Sequence, residues 1–403
     1  YNCILSLMQF TKNLDSIIKS INSKKFVLEL FIVIFLIGGN FILGSALRNS
    51  VLDVMFPGDD PLHIIIANSF RENGNFTINY LGDYVFWENS YDDIIQKYPS
   101  ISFDSGKSPI YFILLGSVFQ LFDTSQEDLQ LHASIFNNFI SSLFIILFFF
   151  LIKKYFNLKI AFLSSTMILF LPYFEFYSVF VRPHMLMYTF SIGALFFLQK
   201  KKFHYIMFGI FVGLAHLTHP FGIILGFSYS VFLLFNKEFR GFLISFFTWQ
   251  LMLVPLFVKN YINFGDIGNG LYLPFSNVFS PLLSLIIDRH GSPTIIHPGS
   301  VIVQRFTELN KTELFDVLYS GIVKFLQNYT MDAILVFIIV FSSLYFFKIN
   351  KILSKEARLY VLGIFLASIL FGFTISLVGF YAQLILVFII PALFFYILKK
   401  LRK

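Results

Sequence analysis

Apolar stretches of membrane-crossing length recur along this chain, and such stretches leave a polypeptide few ways to fold. A helix needs roughly 20 apolar residues to cross a bilayer, and inside it every backbone N–H and C=O must be bonded within the protein. Ten candidate spans are read at 26–43, 132–152, 160–178, 184–199, 204–218, 221–235, 240–258, 332–347, 359–378 and 380–398. A shorter run, Pro109 to Phe122, is too brief to span and reads as interfacial or re-entrant. Composition agrees: 57% of residues are hydrophobic and 13% charged, against about 25% charged in an average soluble domain. The mean hydropathy is +0.75. The expected class is therefore all-α. Residues 1–403 should form one integral membrane domain of about ten transmembrane helices, with interfacial amphipathic helices in the first external loop.

Charge orients the spans. With the N-terminus inside, the segments 1–25, 153–159, 200–203, 236–240, 348–358 and 399–403 carry 20 of the 30 Lys and Arg. The opposite side carries 19 of the 23 Asp and Glu. This positive-inside pattern places both termini in the cytoplasm of a multi-pass plasma-membrane protein. If 109–122 spanned, the clusters at Lys153-Lys154, Lys200-Lys201-Lys202 and Lys399-Lys400 would fall outside, and that arrangement is rejected. The pI of about 9.2 thus reflects loop anchors and no nucleic-acid surface. The first span is too long for the apolar core of a cleaved leader and is expected to be retained. The chain opens on Tyr1, and the reading allows for residues before it.

Several chemistries are excluded. The one cysteine, Cys3, rules out an intrachain disulfide and a cysteine zinc cluster. No phosphate-cradling Gly-rich loop ending in Lys-Ser/Thr occurs, which argues against an ATPase. Two long external segments remain, 44–131 and 259–331, and connections of this length in a compact protein are usually functional. Chemistry or recognition is expected on the extracytoplasmic side.

The first segment opens with Phe56-Pro57-Gly58-Asp59-Asp60-Pro61. Leu62, Ile65, Ile66, Ser69 and Phe70 then share one face at helical spacing, with His63, Asn68, Arg71 and Glu72 elsewhere, which predicts an amphipathic helix at the outer interface. Asp60 fits its N-cap and Pro61 its first residue. Capping explains Asp59 less well. Two adjacent carboxylates repel, which raises a pKa and makes one a competent base, so Asp59 is assigned the chemical role. Lys107, in Gly106-Lys107-Ser108-Pro109-Ile110-Tyr111, has two readings: a snorkelling anchor or a point charge for a phosphate.

In this order, these residues resemble the membrane-embedded glycosyltransferases of the GT-C superfamily. Within it they are most similar to the lipid A aminoarabinose transferase and protein O-mannosyltransferase group. Its acidic pair corresponds to Asp59-Asp60, and its Lys-Pro-Pro-Leu-Tyr to Lys107-Ser108-Pro109-Ile110-Tyr111. Its helix ending Leu-Phe-Gly corresponds to Leu121-Phe122-Asp123. Val181-Arg182-Pro183-His184 looks like Ala-Arg-Pro-Asp, and Gly213-Leu214-Ala215-His216-Leu217-Thr218-His219-Pro220 looks like Gly-Leu-Ala-x-Leu-Thr-Lys/Arg-Pro. Pro255 to Tyr261, with Lys259, looks like Pro-x-x-x-Arg-Asn-Tyr. The resemblance covers 56–265, so 26–265 is read as a GT-C-like catalytic module with external loop 44–131. Residues 266–403 are then the variable part, with loop 259–331 and three C-terminal spans.

The resemblance implies transfer of a sugar from a polyprenyl-phosphate carrier to a lipid, glycan or protein acceptor, by an inverting displacement. Asp59 or Asp60 would deprotonate or orient the acceptor, and Lys107, Tyr111, Arg182 and Lys259 would hold the donor phosphate. His184 stands where the family has an acid, and Glu175 on the same external loop is the substitute. A departing phosphate gains charge and needs fixed cations nearby, so the residue types suit the step.

His184, His216 and His219 lie near outer span ends, where ionisable groups carry function by default, and together with His63 they are candidate polar lining of the site. His216 and His219, three apart, would form a minimal divalent-cation site with the acidic pair, although Pro220 interrupts that helix end; no metal or other cofactor is assigned. The aromatics Tyr80, Tyr84, Phe86, Trp87 and Tyr91 read as an interfacial belt or a sugar platform. Residues 312–326 read as a second amphipathic helix. Acceptor sequons at Asn75, Asn310 and Asn328 all fall on the external side. The alternative function is a lipid or solute transporter without covalent chemistry, whose expected repeat symmetry is not found in the sequence.

Overall fold

The computed structural model describes residues 24–51, 60–74, 109–155, 157–197, 202–219, 222, 226, 230, 233–234 and 237–264. All regular structure among these is helical. The helices are α1 (Lys24–Val51), α2 (Asp60–Asn73), α3 (Pro109–Leu121), α4 (Leu129–Tyr155) and α5 (Leu158–Ile168). They continue with α6 (Pro172–Val179), α7 (His184–Leu195), α8 (Lys202–Thr218) and α9 (Phe239–Phe264). Within α1, α4 and α9, the stretches Phe26–Arg48, Leu129–Lys154 and Phe239–Val258 are long and apolar enough to cross a membrane. The last three expected spans, the 312–326 helix, the sequons and the 80–91 aromatics lie outside the described residues.

Side-chain contacts fix how the helices run. α1 and α4 are antiparallel: Glu29 pairs with Lys153 at 2.5 Å, Asn40 meets Asn138, Ser141 and Ser142, and Arg48 Nε donates to Ser134 Oγ at 3.0 Å. α4 and α7 are parallel, since Asn137 bonds the turn just before α7 and Lys154 Nζ bonds Phe196 O just after it. The chain between them returns through α5 and α6. Asn157 starts α5 as its N-cap, accepting from Ile160 N at 3.0 Å. The expected span 160–178 is in fact broken at Leu169–Leu171. Pro172 disfavours helical backbone at Leu171 before it and has no N–H to continue the ladder.

α8 and α9 also run parallel, with Gly209 against Ser245 and Thr248, Gly213 against Trp249 and Met252, and Gly241 against Tyr205. Parallel neighbours need a return segment. Gly222 sits against Ala215 and His216, Gly226 against Trp249, and Ser230 beside Phe208 and Ser245. This sequence of neighbours runs back along α8; the other residues of the expected span 221–235, save Leu233 and Leu234, lie outside the described residues.

α3 is about 20 Å long at 1.5 Å per residue, too short for a bilayer core of roughly 30 Å, which agrees with its reading as non-spanning. It lies antiparallel to the first turns of α4, Tyr111 near Phe136 and Phe122 near His132. It ends in a Schellman turn: Thr124 N bonds Phe119 O at 3.0 Å and Asp123 N bonds Gln120 O at 3.3 Å. Asp123 takes the left-handed conformation there, φ 46°, a position that favours glycine. The family's Leu-Phe-Gly thus has a physical counterpart in a helix C-cap.

α2 packs parallel to α3, with Gly116 against the Ala67 carbonyl and His63 beside Tyr111 and Phe112. Its buried face is His63, Ile66, Ala67 and Asn68. That face is rotated from the apolar stripe in the sequence, because α3 and the 180–182 turn offer polar as well as apolar partners.

Candidate functional site

One end of this bundle gathers the residues singled out in the sequence. The turn Phe180–Arg182 enters α7, whose first residue, His184, follows Pro183, a residue pre-set for helical φ and lacking the N–H an initial turn leaves unpaired. The backbone is held at each carbonyl. Phe180 O accepts from Asn137 Nδ2 and from Arg182 N at 2.8 Å. Val181 O is 2.7 Å from His63 Nδ1, so that nitrogen carries the proton. Arg182 O accepts from Asn137 Nδ2 at 3.3 Å. Asn137 is itself oriented by the Tyr111 hydroxyl, which donates to its Oδ1 at 2.9 Å. Asn137 and Tyr111 are both fully buried, and His63 is 3% exposed. The Arg182 side chain is half-buried.

Next to this turn three rings pack together. Tyr177 of α6 and His184 lie 4.9 Å apart at 20°, and His184 and His219 lie 4.5 Å apart. His216 turns the other way, toward Trp249 of α9 at 5.9 Å, and is 2% exposed. The structure therefore brings His219 to His184, while His216 joins the α8–α9 contact. Among the described residues, no group of three or more His, Cys, Asp or Glu is placed to hold a metal ion.

The remaining candidates divide by position. Asp60 is the first residue of α2, one position inside the helix end where the sequence reading made it the N-cap. Glu175 lies on α6. Lys259 lies near the end of α9, and the parallel α8–α9 register carries that end of α9 alongside His219. Asp59 and Lys107 lie outside the described residues.

Three residues here escaped the sequence reading. α1 does not stop at 43 but continues to Val51, so Arg48, assigned to the external loop, is instead a helical residue only 7% exposed. Its Nε is bonded to Ser134 and its Nη2 has no hydrogen-bond partner. The other two are Ser134 and Asn137, polar residues inside an apolar span. Intramembrane polarity was the available signal for both, but nothing local indicates what they bind.

The described chain is all-helical, with three helices long and apolar enough to cross a membrane. Over 92% of its length it superposes on the oligosaccharyltransferase of Archaeoglobus fulgidus with a TM-score of 0.53, at 14% identity in a structure tethered to an acceptor peptide containing the NVT sequon. The identity is 15% in a complex with an inhibitory peptide and a dolichol-phosphate. The chain spans about half the length of those proteins, covering 50% of each. ArnT from Cupriavidus metallidurans, bound to undecaprenyl phosphate, aligns at TM-score 0.44 and 12% identity, over 90% of this chain and 78% of that one. In sequence, residues 106–260 match the family described as dolichyl-phosphate-mannose-protein mannosyltransferase. No curated protein matches the chain.

Proposed function

We propose that this chain is a polyprenyl-phosphate-dependent glycosyltransferase working at the extracytoplasmic face of the plasma membrane. The observation that carries the reading is a coincidence of two independent results. The segment similar to the mannosyltransferase family, 106–260, contains Tyr111, Arg182, His184 and His219, and these are the residues that meet at one end of the bundle. The opposite end holds Lys153 and Lys154, part of the basic set that the positive-inside pattern assigns to the cytoplasm.

In the proposed reaction the acceptor hydroxyl oxygen bonds to the sugar's anomeric carbon as the bond to the carrier phosphate breaks. Asp59 takes the hydroxyl proton, with Asp60 and Glu175 as the neighbouring acids. The phosphate leaves with the electron pair and is met by Lys107, Arg182 and Lys259. Fixed cations at that oxygen stabilise charge that grows only in the transition state. The acceptor, lipid, glycan or protein, binds on the same face.

The test follows sugar loss from a panel of polyprenyl-phosphate sugars by the protein in nanodiscs, with membrane extract supplying acceptors and Asp59→Asn alongside. Turnover by wild type and its loss by at least a hundredfold in the variant is the expected result. Equal turnover by both removes Asp59 from the chemistry. No turnover with any carrier, together with movement of labelled lipid between leaflets, replaces the enzyme by a transporter.

A further inference from the structure

Ser134 and Asn137 are three residues apart and so share one face of α4. Each holds a different arginine-bearing segment. Ser134 Oγ accepts from Arg48 Nε. Asn137 Nδ2 bonds the carbonyls on both sides of Val181, those of Phe180 and Arg182. Leu47, beside Arg48 in sequence, packs against Val179 and Phe180, so the two segments adjoin. Neither α4 residue is exposed at all, and each is a polar group in a span where such groups are costly. Arg48 keeps Nη2 without a hydrogen-bond partner although the residue is buried. A buried guanidinium left one donor short is suited to an anionic oxygen.

We infer that Asn137 is a positioning residue for the cationic site: it sets the Phe180–Arg182 turn, and Tyr111 acts through it by fixing which way its amide faces. The reasoning is geometric. Two carbonyls can be bonded together only by the amide nitrogen, and the Tyr111 hydroxyl, by donating to Oδ1, selects that orientation. Without it the amide can flip, turning its oxygen toward the Phe180 and Arg182 carbonyls and loosening the turn. Tyr111, read in the sequence as a phosphate ligand, then contributes to anion affinity from inside the core. The inference rests on the proposed use of Arg182 as a phosphate ligand.

The experiment measures binding of decaprenyl phosphate, with neutral decaprenol as reference, to the full chain in nanodiscs. Tyr111→Phe, Asn137→Asp and Arg182→Gln are each compared with the double variants Tyr111→Phe/Arg182→Gln and Asn137→Asp/Arg182→Gln. The expected result is a loss of at least tenfold in phosphate-dependent affinity for Asn137→Asp and about threefold to fivefold for Tyr111→Phe. In the Arg182→Gln background both effects should shrink to less than twofold, because they act through Arg182. Full additivity in that background overturns the inference and leaves Asn137 as a folding residue only. Tyr111→Phe removes one oxygen and keeps the ring, so its cycle decides the matter if Asn137→Asp does not fold. Wild-type protein that binds decaprenol as well as decaprenyl phosphate overturns the proposed function itself, and this inference with it.

Discussion

Asn40 offers a worked test of what holds the first span to the bundle. Its Nδ2 lies 2.9 Å from Asn138 O, 2.8 Å from Ser141 Oγ and 2.9 Å from Ser142 Oγ. An amide nitrogen has two hydrogens, so at most two of these three contacts are full bonds at once. Interhelical hydrogen bonds in membranes average about 0.6 kcal/mol and reach about 1.7. Asn40→Ala should therefore cost about 1–2 kcal/mol. The larger penalty of an orphaned acceptor does not arise, because the Ser141 and Ser142 hydroxyls continue to donate to Asn138 O at 2.8 and 3.0 Å. Detergent-titrated unfolding in bicelles, followed by tryptophan fluorescence, measures the change. The two serines share the role, so losing either alone should cost less than about 0.6 kcal/mol. Removing both should reduce the effect of Asn40→Ala without abolishing it, because Asn138 O still accepts from Asn40 Nδ2. An Asn40→Ala cost above about 3 kcal/mol, or one unchanged without both serines, would refute this account.

Two further substitutions test local geometry. Asp123→Gly should stabilise the chain by up to about 1 kcal/mol, since φ 46° suits glycine at a helix C′ position, and a lower unfolding midpoint would contradict the Schellman reading. Gly209→Ala should destabilise by about 1–3 kcal/mol, because its Cβ would sit 2.6 Å from Ser245 O and 2.8 Å from Thr248 Cβ. Gly38→Ala is the control. Nothing lies within 4 Å of its Cβ, so helix propensity alone should leave stability unchanged or raise it by about 1 kcal/mol. Equal effects of the two alanines would remove the close α8–α9 approach from the explanation.

The sequence by itself determined the fold class of the protein. A bilayer admits so few backbone arrangements that apolar run length locates α8 to within two residues, while α4 and α9 extend beyond the expected 132–152 and 240–258. The short run 109–122 appears in the structure as a helix of only 13 residues, α3. Errors arose where a local signal was interrupted or incomplete. The first span is read only to 43, whereas packing against α4 carries the helix past Arg48 to Val51. An unbroken apolar run likewise hid the break before Pro172.

Only the tertiary structure decided which polar groups meet. Arg48 finds Ser134 across 86 positions, Asn137 finds the Phe180 and Arg182 carbonyls across 43 and 45, and His219 packs against His184 where the sequence offered His216 as its partner. Hydrogen-bond partners at such separations are set by helix order and register. Hydropathy does not encode these, because it averages over the faces of a span and carries no information on which polar groups pair.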